Sequence, residues 1–412
     1  MKTSMVLFAS LFLLINVAYT QSDHFKNKSI SADIDVTQNV NTLNLTITAL
    51  IEGFYSAQGS SMTIGPMVKV ELHDAISKEG IESRIGTLNT LGVGTFSFSN
   101  VVNGIPYYIV IKSSNTIETW CSSAQNFSSG TLSYNFTTAA EMAYANNMIK
   151  IGSKWCIYSG DVNQDGYVDS GDLLPIDNDY TNYLYGLGLV TDVNGDGYVD
   201  SGDLLIVDNN YTNYIYATKP NVAPDTIMYS GQTYHTILIG TQWWIKENLN
   251  VGTRINGYIP QSNNGIIEKY CYNDDQANCA KYGGLYQWSE IMKYTTTEGS
   301  QGICPSGWHI PTNSEITTLN LSIGSDGNLL KSGGQGNGAG SGTNISEFSA
   351  ILAGSSGSDG SFSDLANYSY IWSSTQYNSS LSHIMTLDQV DNNIGQGQSN
   401  KSNGFSVRCL KN

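Results

Sequence analysis

The chain has 412 residues, only 13% of them charged, and a formal net charge of −16. An acidic balance of this size supplies no basic stripe to displace phosphate counterions, which argues against nucleic acid as a partner. A length of this order with 40% hydrophobic residues suits two or three domains.

At the N-terminus, Lys2 precedes an apolar run from Met5 to Ile15, and Asn-Val-Ala-Tyr-Thr-Gln follows. This is the pattern of a signal peptide over residues 1–20, with cleavage near Thr20, and it is too short for a membrane span. No later apolar run is long enough to span, so the expectation is an exported, soluble chain without a membrane span. From about residue 30 to 150, alternating segments predict strands at Leu43–Thr48, Val68–Leu72, Thr95–Ser99, Tyr107–Ile111 and Thr131–Phe136. Together they predict a β-sandwich, similar at fold level to immunoglobulin-like or transthyretin-like secreted domains.

The most informative stretch comes next. Asp161-Val-Asn163-Gln-Asp165-Gly166-Tyr167-Val-Asp169-Ser-Gly-Asp172 recurs 31 residues later as Asp192-Val-Asn194-Gly-Asp196-Gly197-Tyr198-Val-Asp200-Ser-Gly-Asp203, and the copies from 161 and from 192 agree at 20 of 25 positions. Oxygen-bearing side chains fall at loop positions 1, 3, 5, 9 and 12, Tyr167 and Tyr198 offer a backbone carbonyl at position 7, and glycine at position 6 permits the turn around a hard cation. The expectation is two bound Ca2+ ions. Eleven Asp and no Lys or Arg lie between 161 and 210, a cluster that repels itself unless cations offset it.

The flanks separate these loops from a full EF-hand. Both end in Asp where that motif has Glu, and the preceding segments are too short and glycine-rich for an entering helix. An exiting helix is predicted in each copy, with Asp169 and Asp200 as N-caps and an apolar face of Leu173, Ile176, Tyr180 and Leu184, mirrored by Leu204, Val207, Tyr211 and Ile215. Pro175 is expected to bend or delay the first helix. A duplicated Asp-x-Asn-x-Asp-Gly loop with terminal Asp and one following helix resembles a type I dockerin over residues 159–217. The resemblance implies the ion ligands named above and a cohesin-like scaffold protein as partner. One departure is Ser-Gly at loop positions 10 and 11 of both copies, where dockerins usually carry contact residues. A calcium-stapled spacer with no cohesin partner is the alternative.

Residues 218–228, with Pro220 and Pro224, read as a short stiff linker. Beyond it, Gly240-Thr-Gln-Trp243-Trp244, Tyr282-Gly-Gly-Leu-Tyr-Gln-Trp288, Cys304-Pro-Ser-Gly-Trp308-His-Ile-Pro311, Trp372-Ser-Ser-Thr and Phe405-Ser-Val-Arg408-Cys409 occur in an order similar to the Fibrobacter succinogenes major paralogous domain, over about 229–412. Thr312 to Glu315 forms a capping box opening a short helix. The expected fold is α+β, similar to C-type lectin-like domains, although the Glu-Pro-Asn, Gln-Pro-Asp and Trp-Asn-Asp tripeptides of sugar-binding C-type lectins do not occur. Its tryptophans suit either a core or sugar stacking, with core favoured.

Export makes disulfides the expected state of the six cysteines. Fifteen connectivities are open. Pairing within each region gives Cys121 with Cys156, Cys271 with Cys279 and Cys304 with Cys409. There is no His-Glu-x-x-His, Gly-x-Ser-x-Gly or Walker loop, and the run Gly333 to Gly342 reads as a mobile surface loop. The combined expectation is a secreted, non-catalytic, calcium-binding modular protein for docking or adhesion, with a polysaccharide or cell-surface ligand. The alternative is a carbohydrate-active hydrolase whose carboxylate pair lies in the C-terminal region, since such a pair leaves no sequence signature.

Overall fold

The computed structural model describes residues 42–186, 188–220 and 226–412. The expected signal peptide, 1–20, lies outside them, as does part of the expected linker. The chain is β-rich, with several sheets and five α-helices among the described residues.

Two sheets face each other across the first core. One orders the strands Thr131–Asn135, Leu43–Thr48 and Val93–Phe98; the other orders Gly80–Thr87, Met67–Asp74, Pro106–Lys112 and Thr119–Trp120. Strict alternation explains the first: Leu43, Leu45 and Ile47 point inward to meet Phe96 and Phe98, while Asn44, Thr46 and Thr48 are only half-buried. All five predicted strands form. A sixth, Gly80–Thr87, escapes the pattern because its Glu82 is fully buried, held by the backbone N–H groups of Ser99 and Asn100 and by Arg84. The region runs past residue 150, since a hairpin of Ile149–Ile151 and Lys154–Cys156 leads to a bridge between Ile157 and Ile51.

Helices α1 (Ser170–Thr181) and α2 (Ser201–Thr212) follow their loops as expected, each opened by a capping box between Asp169 and Asp172 or Asp200 and Asp203. Pro175 does not delay α1, which starts at the same repeat position as α2; the Asp169 cap fixes the start upstream of it. The expected apolar face holds except at Tyr180, Tyr211 and Leu184, and Ile215 at its far end packs against the core. Ile176 and Val207 are fully buried and Leu173 and Leu204 pack beside them, but Tyr180 and Tyr211 are exposed. Val162, Val168, Ile176, Val193, Val199 and Val207 belong to the same continuous core as the sandwich. Fully burying each such side chain contributes about 1.5 to 3 kcal/mol, so the repeats are stabilised largely by the surface they share with the sandwich.

The C-terminal region begins at the strand Thr226–Tyr229, inside the expected linker, and builds two five-stranded sheets. In the first, Leu410–Lys411 is inserted between Gln242–Ile245 and Trp308–His309, and the Cys304–Cys409 disulfide closes the chain end beside it. The second orders Phe362–Leu365, Ala353–Ser356, Tyr368–Gln376, Leu381–Asp388 and Ile394–Asn400. Helices α3 (Gln276–Tyr282) and α4 (Trp288–Ile291) are short; α5 (Asn313–Ser322) carries the expected capping box of Thr312 and Glu315. Cys271 pairs with Cys279 as expected. Cys121 and Cys156 do not pair. Both are buried thiols, pushed up to about 12 by burial, and the Cys121 sulfur is occupied by the Ile109 N–H and the Ser123 carbonyl. The run from Gly333 to Gly342 is a surface loop, with Gly333, Gly334, Asn337, Gly338 and Ala339 exposed, and it is anchored at Gln389: the Asn337 N–H bonds Gln389 O at 2.7 Å, and a Cβ at Gly340 would lie 2.3 Å from that same oxygen.

The described residues form one compact unit. The sandwich meets the C-terminal region through Lys69 and Lys112, which bond the two oxygens of Glu347 at 3.0 and 2.7 Å, and through the Ser83 N–H, which donates to Gly240 O at 2.8 Å.

Candidate metal centre

The two loops repeat one another in geometry as well as in sequence. Gly166 and Gly197 both adopt φ of 88°, a left-handed conformation that a side chain resists. Each sends its N–H to the position-1 carboxylate, Gly166 to Asp161 at 3.1 Å and Gly197 to Asp192 at 2.9 Å. Asp165 and Asp196 donate their N–H groups to Asn163 and Asn194, both at 2.8 Å. Tyr167 and Tyr198, the position-7 residues, donate to Asp165 and Asp196 at 3.0 and 2.9 Å. The position-12 carboxylates close each loop: Asp172 accepts from Asn163 and Asp169, and Asp203 from Asn194 and Asp200. Asp169 and Asp200 also cap their helices through Gly171 and Gly202. The position-11 glycines lie close against the Asn side chain of their own loop. A Cβ at Gly171 or Gly202 would lie 2.9 or 3.0 Å from the Asn163 or Asn194 amide nitrogen.

Neither copy is complete alone. The Val168 N–H of the first loop bonds Ile215 O at 2.9 Å, and the Val199 N–H of the second bonds Leu184 O at 3.1 Å, so each loop pairs with the segment leaving the other copy's helix. The bridges Tyr167 to Tyr216 and Tyr185 to Tyr198 express the same exchange.

Burial sets the electrostatics. Asp161, Asp172 and Asp203 are fully buried and Asp192 nearly so. Loss of solvent, reinforced by neighbouring carboxylates, pushes Asp161 up to about 7 and Asp172 and Asp192 up to about 6, and raises Asp203. Lys112 opposes the effect at Asp161. The Asp161 Oδ1 atom is buried without a hydrogen-bond partner. Among the described residues, no three His, Cys, Asp or Glu side chains converge as a metal centre of those types alone. The loop donor sets are instead mixed, with Asn163 or Asn194 and a main-chain carbonyl beside the carboxylates. An oxygen-only set with an orphaned carboxylate oxygen fits a hard divalent cation. Bound there, it would offset the carboxylates' mutual repulsion, with Asp161, Asn163, Asp165, Tyr167 O, Asp169 and Asp172 as holders in the first loop and their counterparts in the second.

Outside the loops, the repeats present matched exposed side chains. Leu174 and Leu205 are 62% and 60% exposed, Tyr183 and Tyr214 are 84% and 83%, and Tyr185 with Tyr216 and Tyr180 with Tyr211 complete the set. The halves differ where they meet the sandwich. Asn210 is buried and donates to Glu52 at 2.6 Å and to Ser159 O at 2.8 Å, a role the sequence hid because the residue resembles its exposed neighbours. In the C-terminal region Trp244, Trp288, Trp308 and Trp372 are core residues, and Trp243 is half-buried.

No curated protein matches the chain. A solved structure described as an N-terminal interface mutant of a type II Cohesin-X-Dockerin complex from Acetivibrio cellulolyticus aligns at 16% identity over 42% of this chain and 97% of that chain, with a TM-score of 0.25, too low to bear on the fold. The C-terminal region has a firmer relative: residues 237–411 match the family model described as the Fibrobacter succinogenes major domain.

Proposed function

We propose that the protein is an exported, non-catalytic modular protein whose residues 159–217 form a calcium-dependent docking module. Two Ca2+ ions order the loops, and the helices present a face to a cohesin-like domain on a scaffold protein. The C-terminal region then contributes recognition of a polysaccharide or cell-surface ligand. The observation that carries the docking reading is the duplicated exposed face: Leu174 and Leu205, and Tyr183 and Tyr214, are large side chains left in solvent to nearly the same extent in both copies. Paired apolar exposure of this kind suits an interaction surface that works in either of two orientations related by the repeat.

The test is biolayer interferometry of the full chain against immobilised type I and type II cohesin domains, with calcium and with chelator. Calcium-dependent binding is expected, reduced little by Leu174→Ser or Leu205→Ser alone and abolished by the pair. Absence of binding to every cohesin leaves the calcium-stapled spacer as the better reading.

A further inference from the structure

A cavity of about 870 Å3 lies where the sandwich, the first calcium-type loop and the C-terminal region meet. That volume falls within the range of about 300 to 1,000 Å3 typical of small-molecule sites. Its wall is richer in cations than the chain, with six Lys and Arg against the five carboxylates of Glu71, Glu118, Asp165, Glu247 and Glu347. The whole sequence has 19 Lys and Arg against 35 Asp and Glu, yet six of the 19 line this cavity: Lys78, Lys112, Lys219, Lys246, Lys281 and Arg408.

Most of these cations have internal partners. Lys112 bonds Glu347 at 2.7 Å, and Arg408 is spent on Asn248 Oδ1, Phe348 O and Ser349 O. Lys69, behind the wall, joins Glu71 at 2.6 Å and Glu347 at 3.0 Å, while His73 takes the other Glu71 oxygen at 2.7 Å. Lys246 is different. Among the described residues its ammonium has no hydrogen-bond partner, and the two carboxylates that act on it are both engaged elsewhere: Glu347 by Lys69 and Lys112, and Glu247 by the ring and the backbone N–H of His235. Lys69 and Lys112 act on it as like charges. A half-buried ammonium on the cavity wall, whose neighbouring carboxylates are already spent on other groups, is left to meet an anion that enters the cavity.

We propose that this cavity binds a small hydroxylated carboxylic acid, a uronic acid or the acidic end of a uronic-acid oligosaccharide, with its carboxylate on Lys246. The hydroxylated part suits the rest of the wall, which mixes amide, phenol and indole groups from Gln232, Tyr234, Tyr282 and Trp243. The site is separate from the exposed repeat face, so it stands or falls independently of docking.

Calorimetry on the calcium-loaded full chain tests it with galacturonate, digalacturonate, galactose and acetate. Galacturonate or digalacturonate is expected to bind at least tenfold more tightly than galactose, and preference for the dimer over the monomer identifies a chain end as the natural ligand. Lys246→Met should reduce uronate affinity at least tenfold while Lys246→Arg retains it, with melting temperatures recorded for both. If Lys246→Met unfolds the protein, Lys246→Gln takes its place. Equal affinity for galactose, no binding of either uronate, or unchanged uronate binding in the Met or Gln variant overturns the proposal.

Discussion

The acidic repeats and the C-terminal region solve the same problem, closing a structure with modest apolar content, by different means. The repeats carry eleven Asp and no cation over 161–210, bury few apolar side chains of their own, and complete their core against the sandwich. The C-terminal region has two apolar clusters of its own and two disulfides, one of which closes a separation of 105 residues. Covalent closure acts chiefly on the unfolded chain, whereas a cation acts on the folded one by relieving carboxylates that burial has crowded together. The first region is therefore expected to respond to chelation, and the second to reduction.

Breaking that contrast begins with the long disulfide. Replacing Cys304 and Cys409 together by Ser should cost about 4 to 5 kcal/mol in the chain-entropy model, seen as earlier thermal unfolding of the C-terminal region. Calcium affinity should stay as it was; a tenfold fall would show that the two regions are not independently stabilised.

A smaller effect distinguishes the two halves of the repeat. Asn210 stands where the first copy has Asp179, which is half-buried and accepts from the Thr191 hydroxyl at 2.7 Å. Asn210→Asp would set a second carboxylate against Glu52, already raised by burial, and should destabilise by about 2 to 3 kcal/mol in urea unfolding. Asp179→Asn should be close to neutral. Equal effects would mean that the sandwich contact does not distinguish the copies.

The smallest change lies in the C-terminal region, where His309 and Glu315 pair at 3.0 Å. Hydrogen bonding to Glu315 raises His309 above 6.5, so its contribution is complete below that value and fades as pH climbs through the raised one. Glu315 is held below 4.5 by its His309 and Thr312 hydrogen bonds, which outweigh burial, so its contribution is present above 4.5 and fades as pH falls through the lowered value. Glu315→Gln should therefore cost most between pH 4.5 and 6.5, on the order of 1 kcal/mol, and less at pH 8. A flat difference in melting temperature across that range would contradict the pairing.

Local chemistry was legible in the sequence; what depends on distant partners was not. The two loops are legible because their tight turns need Gly166 and Gly197, both at φ of 88°, beside regularly spaced Asp and Asn, and the Thr312 and Glu315 box lies within four residues. Leu43, Leu45 and Ile47 reveal their strand by alternation. By contrast, Gly80–Thr87 hides behind Glu82, whose burial is made tolerable by Ser99 and Asn100 on another strand's exit. Cys121 and Cys156 look like a pair only if cysteine number decides, whereas both are accommodated as small buried groups. Tyr180 and Tyr211 sit at helical spacing from core residues yet face solvent, and in the last turn of α2 the sandwich is met by Asn210 instead of the tyrosine. The Lys246 cavity is assembled from three regions and has no signature in any one of them.

The claim at the centre of this account is that each repeat loop holds one calcium ion. Calorimetric titration of calcium into the chelator-treated full chain, with Asp172→Ala, Asp203→Ala and the double variant alongside, tests it most directly. The account predicts two ions for the parent, one for each single variant and none for the double. Binding at 100 times the dissociation constant should add about 2.7 kcal/mol per site to the region that unfolds with the repeats. No calcium binding by the parent, or two ions retained by either single variant, would contradict it.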